Sequence, residues 1–364
     1  MSLFLMPVRA MALRMGDLEV EPSVSTTGKY DSNILQTDTD RISDYLTDLT
    51  GAVNITSETK LQMIGLKGAL TREMYLKQSA LDNTSENLNL TYARQPDRYT
   101  MLNAADTFDH TETPTSFTDA FGRTPGRYAY YLNRFNVNYG CDMSKQFSWS
   151  ANYANEIYDP SRQDLSSSQE NALSLRGDYA LTSTTTLFGV YGLSSRSFDP
   201  GGRVTAHTLD GAVREFFSAK TYLDLIAGLS ATTGVDGSRS NAPRYEATLS
   251  HEISGKTKAN LSFSQRTDTT YSSSDLFKSW RVTTSLDHRL YSRLSCSGEL
   301  FLGQGKYTQI GIQDKFDGAS TRVHYALTPA AELSAGYTYS KTGSTLDSRR
   351  YTRGIASVGA TVKF

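Results

Sequence analysis

Five histidines are the residues best suited to acid–base or metal chemistry: His110, His207, His251, His288 and His324. Metal ligation needs them clustered or at a spacing such as HExxH. Here they are dispersed, with no close pair. Gly303-Gln-Gly305-Lys306 lacks the spacing of a phosphate loop and reads as a flexible strand end. Asp38, Asp40 and Asp44 give one connection the acidity of a loose Ca²⁺ site, but a solvated acidic loop explains them more simply. Cys141 and Cys296 cannot make a disulfide framework and read as small hydrophobes near chain reversals. No Ser/His/Asp arrangement is identifiable and the lipase-type GxSxG is absent. The sequence therefore gives no support for an enzyme, a metal site or a cofactor. Its remaining chemistry lies in charges that alternate with apolar residues.

Alternation of that kind is a property of strands, whose successive side chains point to opposite faces. Leu173, Leu175, Tyr179 and Leu181 alternate with Ser174, Arg176, Asp178 and Ala180. Leu223, Leu225, Ala227 and Leu229 alternate with Tyr222, Asp224, Gly228 and Ser230, and Tyr245, Ala247 and Leu249 with Arg244, Glu246 and Thr248. These stretches are joined by a recurring short turn, as in Phe217-Ser-Ala-Lys-Thr-Tyr-Leu223 and Ile253-Ser-Gly-Lys-Thr-Lys-Ala259. From Met143 the apolar residue leading each turn falls at 143, 181, 217, 253, 290 and 327, and the chain ends at Phe364. A unit of about 37 residues fits two strands of 12–14 residues, one tight turn and one longer connection. Such strands are more than twice the usual length of roughly 5–6 residues. About 13 residues, tilted near 40°, rise roughly 33 Å and cross an apolar band about 25 Å tall. A solenoid would share residues along the whole unit, and a β-sandwich would not need strands this long.

The expectation is an all-β fold: a transmembrane, antiparallel, up-and-down β-barrel of about 18 strands. The strands are read at 18–31, 42–55, 59–75, 84–94, 97–109, 127–142, 146–158, 169–181, 185–197, 203–217, 220–233, 241–253, 256–270, 278–290, 293–307, 314–327, 330–341 and 350–364. Gly65 and Gly68 interrupt the third of them. The longer connections, including 110–126, are expected outside the cell, with the short turns and both termini in the periplasm. Tyr92, Phe147, Phe217 and Tyr222 near the turns, and Tyr158, Phe198, Tyr271, Trp280, Tyr307 and Tyr351 near the loops, are expected to form two aromatic girdles. Val358, Val362 and Phe364 lie on the apolar face of the last strand, and an alternating strand that ends in Phe resembles the targeting signature that outer-membrane barrels present to their insertion machinery.

Composition agrees with that class. The 364 residues carry 37 Lys and Arg against 38 Asp and Glu, a net charge of -1 that leaves no basic footprint for nucleic acid. Tyr (22) and Phe (15) are too numerous for a disordered chain. No run of about 18 apolar residues offers a membrane helix. Residues 1–17 read as a remnant of a signal peptide, with Ala10 and Ala12 at small-x-small spacing, and 18–364 as one barrel domain.

Parity then sends Arg176, Asp178, Asp224, Arg244, Glu246, Lys258, Arg266, Arg281, Asp287, Arg289 and Arg322 to the interior, as candidate pore-lining residues. Between 244 and 324 the basic ones outnumber the acidic ones, which favours anionic solutes; an ion-pair network bracing the wall is the alternative. Tyr30-Asp31-Ser32-Asn33-Ile34, closing the first strand, resembles the Y-D-x-N-[IVF] signature of the "putative β-barrel porin 2" type of outer-membrane proteins, which accompany exopolysaccharide and exosortase systems. That resemblance implies an outer-membrane channel for an exported polysaccharide or another polar, anionic solute. Its partners would be outer-membrane lipid and lipopolysaccharide, the insertion machinery and a periplasmic export component. The competing readings are a general diffusion porin and a sheath around a periplasmic multihaem electron carrier.

Overall fold

The computed structural model describes residues 13–112, 120–271 and 273–364, and all of its strands belong to one antiparallel sheet. In chain order they are β1 (Leu13–Met15), β2 (Leu18–Asp31), β3 (Asp44–Glu58), β4 (Gln62–Tyr75), β5 (Asn83–Arg94), β6 (Thr100–Thr111), β7 (Tyr130–Asp142), β8 (Phe147–Pro160), β9 (Ser167–Ala180) and β10 (Thr185–Asp199). They continue with β11 (Arg203–Ser218), β12 (Thr221–Thr233), β13 (Arg239–Ser254), β14 (Thr257–Thr269), β15 (Leu276–Tyr291), β16 (Leu294–Tyr307), β17 (Gln313–Ala326), β18 (Ala331–Ser344) and β19 (Tyr351–Lys363). Each strand from β2 to β19 pairs with its sequence neighbours, and β19 returns to pair with β2 from Ile355↔Asp31 to Lys363↔Ser23. The closed wall therefore has 18 strands, the expected number, and closure removes both free edges. β4 runs unbroken through Gly65 and Gly68, where an interruption was expected.

β1 lies beyond the end of β19. The Phe364 N–H donates to the Pro22 carbonyl at 2.9 Å, and Leu13–Met15 pair with Leu18–Val20, so the edge of β2 stays covered past the last strand. Part of the segment read as a leader remnant is thus strand; residues 1–12, with Ala10 and Ala12, lie outside the described residues.

The recurring turn has a local cause. The Ser218 and Ser254 hydroxyls accept the N–H of Lys220 (3.2 Å) and Lys256 (3.3 Å), and the Thr182 and Thr328 hydroxyls accept those of Thr184 (3.1 Å) and Ala330 (3.2 Å). A hydroxyl two residues ahead of the reversal stands in for a backbone acceptor, which is why the repeats share Ser or Thr and little else. The turn between β5 and β6 uses Asp97, whose carboxylate accepts the N–H groups of Tyr99 (2.7 Å) and Thr100 (2.9 Å) and is held below its ordinary pKa by them.

Contacts between strands that are not neighbours identify the inner face. Arg196 on β10 reaches Thr269 at the end of β14 (3.2 Å), and the Ser168 hydroxyl on β9 donates to the Tyr271 carbonyl (2.6 Å). The register carries this parity round the barrel. It puts Leu173, Leu175, Leu225, Leu229 (64% exposed) and Val358 (68% exposed) on the outside, and Arg176, Asp178 and Asp224 within. Both cysteines fall on the outer parity and are unpaired.

Parity also corrects the girdles. Trp280, Tyr92, Phe147 and Phe217 face outward, but Tyr158, Phe198, Tyr307 and Tyr351 are buried inside, and Tyr222 shares the inner parity with Asp224. At the long-loop end the aromatics thus form an internal layer more than an external ring.

One substitution pair tests the assignment of faces. Leu225→Arg places a guanidinium on the outer apolar band and should cost about 2–4 kcal/mol, seen as lost heat-modifiable mobility on gels. Asp224→Asn, one residue away, should keep wild-type mobility and alter ion preference. Equal behaviour of the two would contradict the parity.

Candidate functional site

The connection from β6 to β7 determines the shape of the lumen. It was expected to lie outside the cell with the other long loops, but its described part, residues 120–129, turns into the barrel. Phe121 packs edge-on against Phe277 (5.2 Å between centroids), Phe301 (5.4 Å) and Phe316 (6.2 Å). Those rings sit on β15, β16 and β17, about half-way round the wall from β6 and β7, so the segment crosses the interior. The opposite wall is cut to receive it. A Cβ on Gly305 would come within 2.0 Å of the Phe277 ring, and one on Gly303 within 2.9 Å of Phe121. The two glycines that read as a flexible strand end are the clearance for this packing. Gly122 takes a left-handed φ of +82°, which turns the chain immediately after Phe121.

Polar contacts fix the rest of the segment. The Tyr307 hydroxyl donates to the Gly122 carbonyl (2.7 Å). Arg349, in a 3-10 turn at Asp347–Arg349, donates to the Arg123 carbonyl (2.8 Å) while paired with Asp314 (2.6 Å). The Arg123 guanidinium lies among the rings of Tyr130 (4.3 Å to the centroid), Tyr158 (5.1 Å) and Tyr271 (5.1 Å), and burial pushes the Tyr271 phenol up from its ordinary pKa. Arg127 is held by Glu73 (3.2 Å), Glu112, the Tyr75 hydroxyl and the Leu81 carbonyl. From the β8–β9 connection, Arg162 donates to the Pro125 carbonyl (3.3 Å) while paired with Asp164 (2.6 Å); that hydrogen bond holds the Asp164 carboxyl below its usual range.

Beside the segment, a cavity of about 680 Å³ remains against the inner faces of β8 to β15. Phe121, Gly122, Tyr271 and Phe277 bound it on the side of the crossing segment, and its polar wall includes Glu156, Glu170, Arg196, Arg244, Arg266, Asp268 and Arg281. Most of these charges are paired. Arg196 bridges Glu156 (2.6 Å) and Glu170 (2.5 Å), Arg244 lies 3.4 Å from Asp210 and 3.5 Å from Glu246, and Arg266 meets Asp268 at 2.6 Å. Arg281 donates from Nε to the Ser264 hydroxyl (3.0 Å).

Three of the candidate pore residues, Arg244, Arg266 and Arg281, thus gather at one cavity, and Glu246 joins them through Arg244. Arg176 with Asp178 (2.5 Å) and Asp224 with Arg214 (2.6 Å) form separate ion pairs further down the wall, with Arg176 stacked 3.8 Å over the Phe188 ring. Lys258, Asp287, Arg289 and Arg322 share the inner parity at the short-turn end, where Lys258 stands opposite Asp287 in the register and no ion pair within 4.0 Å forms among the described residues. The bracing network that was the alternative to an anion-attracting wall therefore accounts for most of the inner charges.

Sequence reading passed over Arg196, Glu156 and Glu170, although alternation along β8, β9 and β10 carried the signal. It had no signal for Arg123, Arg127 or Arg349, which lie outside the strands. Asp38, Asp40 and Asp44 do not converge. Asp44 is buried and accepts the N–H groups of Tyr45, Lys77 and Gln78, while Asp38 pairs with Arg41. The histidines are spread along the wall, each of His207, His251 and His288 against a single hydroxyl.

Among solved structures, the chain is similar to OccK2 (OpdF) of Pseudomonas aeruginosa (11% identity, TM-score 0.51), OccAB4 of Acinetobacter baumannii (12%, 0.51) and OccK5 (OpdH) of P. aeruginosa (12%, 0.50). In each case 95% of this chain and 98% of the other are covered, and at these identities the likeness is one of fold. No curated protein matches the chain. The family model described as "Putative beta-barrel porin 2" matches residues 6–364, and the chain accordingly belongs to that family of outer-membrane barrel channels.

Proposed function

We propose that the protein is a passive channel for small polar solutes, with a preference for anions, and that solutes cross on the β8–β15 side of the lumen. The observation that carries this reading is the segment 120–129, which crosses the interior and, among the described residues, leaves a cavity of about 680 Å³ beside it. An open barrel of 18 strands would otherwise hold a wide aqueous lumen. Lys258, Arg289 and Arg322, which share the inner face of the short-turn end with Asp287, have no ion pair within 4.0 Å among the described residues, and in a low-dielectric shell their field reaches passing ions with little screening, which supports the anion preference. An exported polysaccharide, the cargo implied by the family resemblance, requires the segment to withdraw. A sheath around an electron carrier would need the space that the segment occupies. Leu13, the first described residue, and Phe364 lie at the short-turn end, which supports placing that end in the periplasm, with the outer band against lipid and lipopolysaccharide and β19 as the strand offered to the insertion machinery.

Planar-bilayer recording tests the proposal. Purified protein should give small unitary steps, and a KCl gradient should give a reversal potential of the sign expected for chloride. Large steps with no ion preference would point to a general diffusion porin, and a silent, folded barrel would overturn the channel reading.

A further inference from the structure

The outer face of the barrel carries a charged cluster that the lumen does not use. Parity puts Lys278 (β15), Lys306 (β16), Lys315 (β17) and Lys341 (β18) on that face, all exposed, at the long-loop ends of four consecutive strands. Lys278 and Lys306 stand directly opposite each other in the register. Like charges so placed repel, and the wall gains nothing from them unless an anion lies between. Among the described residues the lysines that meet a carboxylate within 4.0 Å are Lys29 and Lys363, so none of these four has an acid of its own. Asp317, opposite Lys341 in the register, is the acid within the patch, one negative charge against four positive. Outward arginines elsewhere near that rim stand apart: Arg72 faces Leu49 and Thr84, Arg203 faces Ser197, and Arg239 faces Thr233. Towards the short-turn end the lysines give way to Trp280 and Gln304, and then to Leu302 (50% exposed) and Leu300 (58% exposed). Cations at the rim thus stand directly above a bare apolar wall.

We propose that this face binds the phosphorylated headgroup of lipopolysaccharide in the outer leaflet, with the four lysines around its phosphates and its acyl chains along Leu300 and Leu302. The proposal rests on placing the long-loop end outside the cell, and is independent of the channel function. The order of groups down the wall, cations and then apolar side chains, is the order of phosphate and acyl chain in such a lipid. An ammonium is a compact point charge on a flexible stem, suited to reaching a phosphate oxygen from several sides. A phosphate between Lys278 and Lys306 replaces their repulsion with attraction to a shared anion. A soluble anion would use the charges and leave the apolar wall below them unused.

The test uses the full-length protein in detergent, diphosphorylated lipid A as the probe, and native mass spectrometry to read the bound fraction. The wild type should bind diphosphorylated lipid A most tightly, the monophosphorylated form less and phosphatidylglycerol least. Lys278→Gln/Lys306→Gln should weaken lipid A binding roughly 10- to 30-fold, at about fivefold per lysine. Lys278→Arg/Lys306→Arg should keep most of it, and Lys145→Gln/Lys220→Gln, in two of the short turns, should bind as the wild type does. If Lys278→Gln/Lys306→Gln does not fold, Lys315→Gln/Lys341→Gln carries the comparison. Lipid A bound equally by the wild type and the glutamine variants, or by neither, overturns the site, and phosphatidylglycerol bound as tightly as lipid A overturns the choice of lipid. Labelling of Ser238→Cys on whole cells by an impermeant maleimide reports which end is outside, so a wrong orientation is told apart from a failed site. A silent barrel with lysine-dependent lipid A binding would sink the channel reading and leave the site standing.

Discussion

Replacing Phe121, Arg123 and Arg127 together with alanine should raise the unitary conductance several-fold and admit neutral sugars that the wild type excludes. These are the long side chains by which the infolded segment itself grips the wall, beside the bonds that Tyr307, Arg349 and Arg162 make to its carbonyls. Phe121 fills the aromatic cluster of Phe277, Phe301 and Phe316, and truncating a buried Phe costs roughly 3–5 kcal/mol. Arg127 is buried against two glutamates, so its removal deletes the attachment to β4 and leaves Glu73 and Glu112 facing each other. Arg123 contributes through the Tyr130, Tyr158 and Tyr271 rings, with no hydrogen-bond acceptor on its guanidinium. Against these contacts stands the chain entropy of an ordered loop, about 1–2 kcal/mol per residue, so losing all three anchors should free the segment. The wall should be unaffected, because residues 120–128 supply none of its ladder pairs and the bond that continues the β7–β8 ladder, from the Ser161 N–H to the Ala129 carbonyl (2.8 Å), is untouched, and heat-modifiable mobility should match the wild type. Bilayer conductance and liposome swelling with sugars of graded size give the measurement. Unchanged conductance in a folded triple variant would mean that the segment does not limit the path.

The barrel was readable because its physics repeats. Each strand must show lipid one face and water the other, so the period-2 pattern recurs with the 37-residue spacing, and β2 and the starts of β10 and β11 fall where the alternation places them. The crossing segment does not repeat. Its residues have the polar, Gly- and Pro-containing character of an external loop, and what pulls them inward is a set of contacts with Phe277, Phe301, Gly303 and Gly305, more than 150 residues away in sequence. No local pattern encodes that distance. The aromatics show a second limit. Placing Tyr158 and Trp280 by height along the strand treated them alike, whereas parity sends one into the lumen and the other to lipid. The charges show a third. A count of basic residues suggested an electropositive wall, yet Arg244, Arg266 and Arg176 are matched by acids two positions along their own strands, and among the basic candidates only Arg281, Lys258, Arg289 and Arg322 are left without an ion pair within 4.0 Å among the described residues.

Asp31→Ala should be the most damaging single change among the inner charges, because it strikes the seam where the chain has no covalent help. Every other pair of wall neighbours is joined by a turn or loop, but β2 and β19 are brought together from opposite ends of the sequence. The Tyr30-Asp31-Ser32-Asn33-Ile34 signature ties that junction. Asp31, 1% exposed, accepts the Asn33 N–H (2.9 Å) and pairs with Arg353 on β19 (2.5 Å). Asn33 donates to the Thr352 carbonyl (3.0 Å) and closes the following turn through Thr37, while Ser32 and Gly354 exchange hydrogen bonds across the seam. Ile34 then anchors the knot against Leu46 and Tyr75. Removing the carboxylate leaves Arg353 buried without its partner, a loss of about 3–5 kcal/mol. Asp224→Ala breaks a pair of similar geometry with Arg214, but between β11 and β12, which a short turn already joins, and in a more exposed setting worth about 0–1 kcal/mol. The expected result is a lowered urea midpoint and a larger unfolded fraction on gels for Asp31→Ala, an intermediate effect for Asp31→Asn, which keeps an acceptor for the Asn33 N–H, and near wild-type behaviour for Asp224→Ala. Equal midpoints for the two alanine variants would show that the signature does not hold the seam.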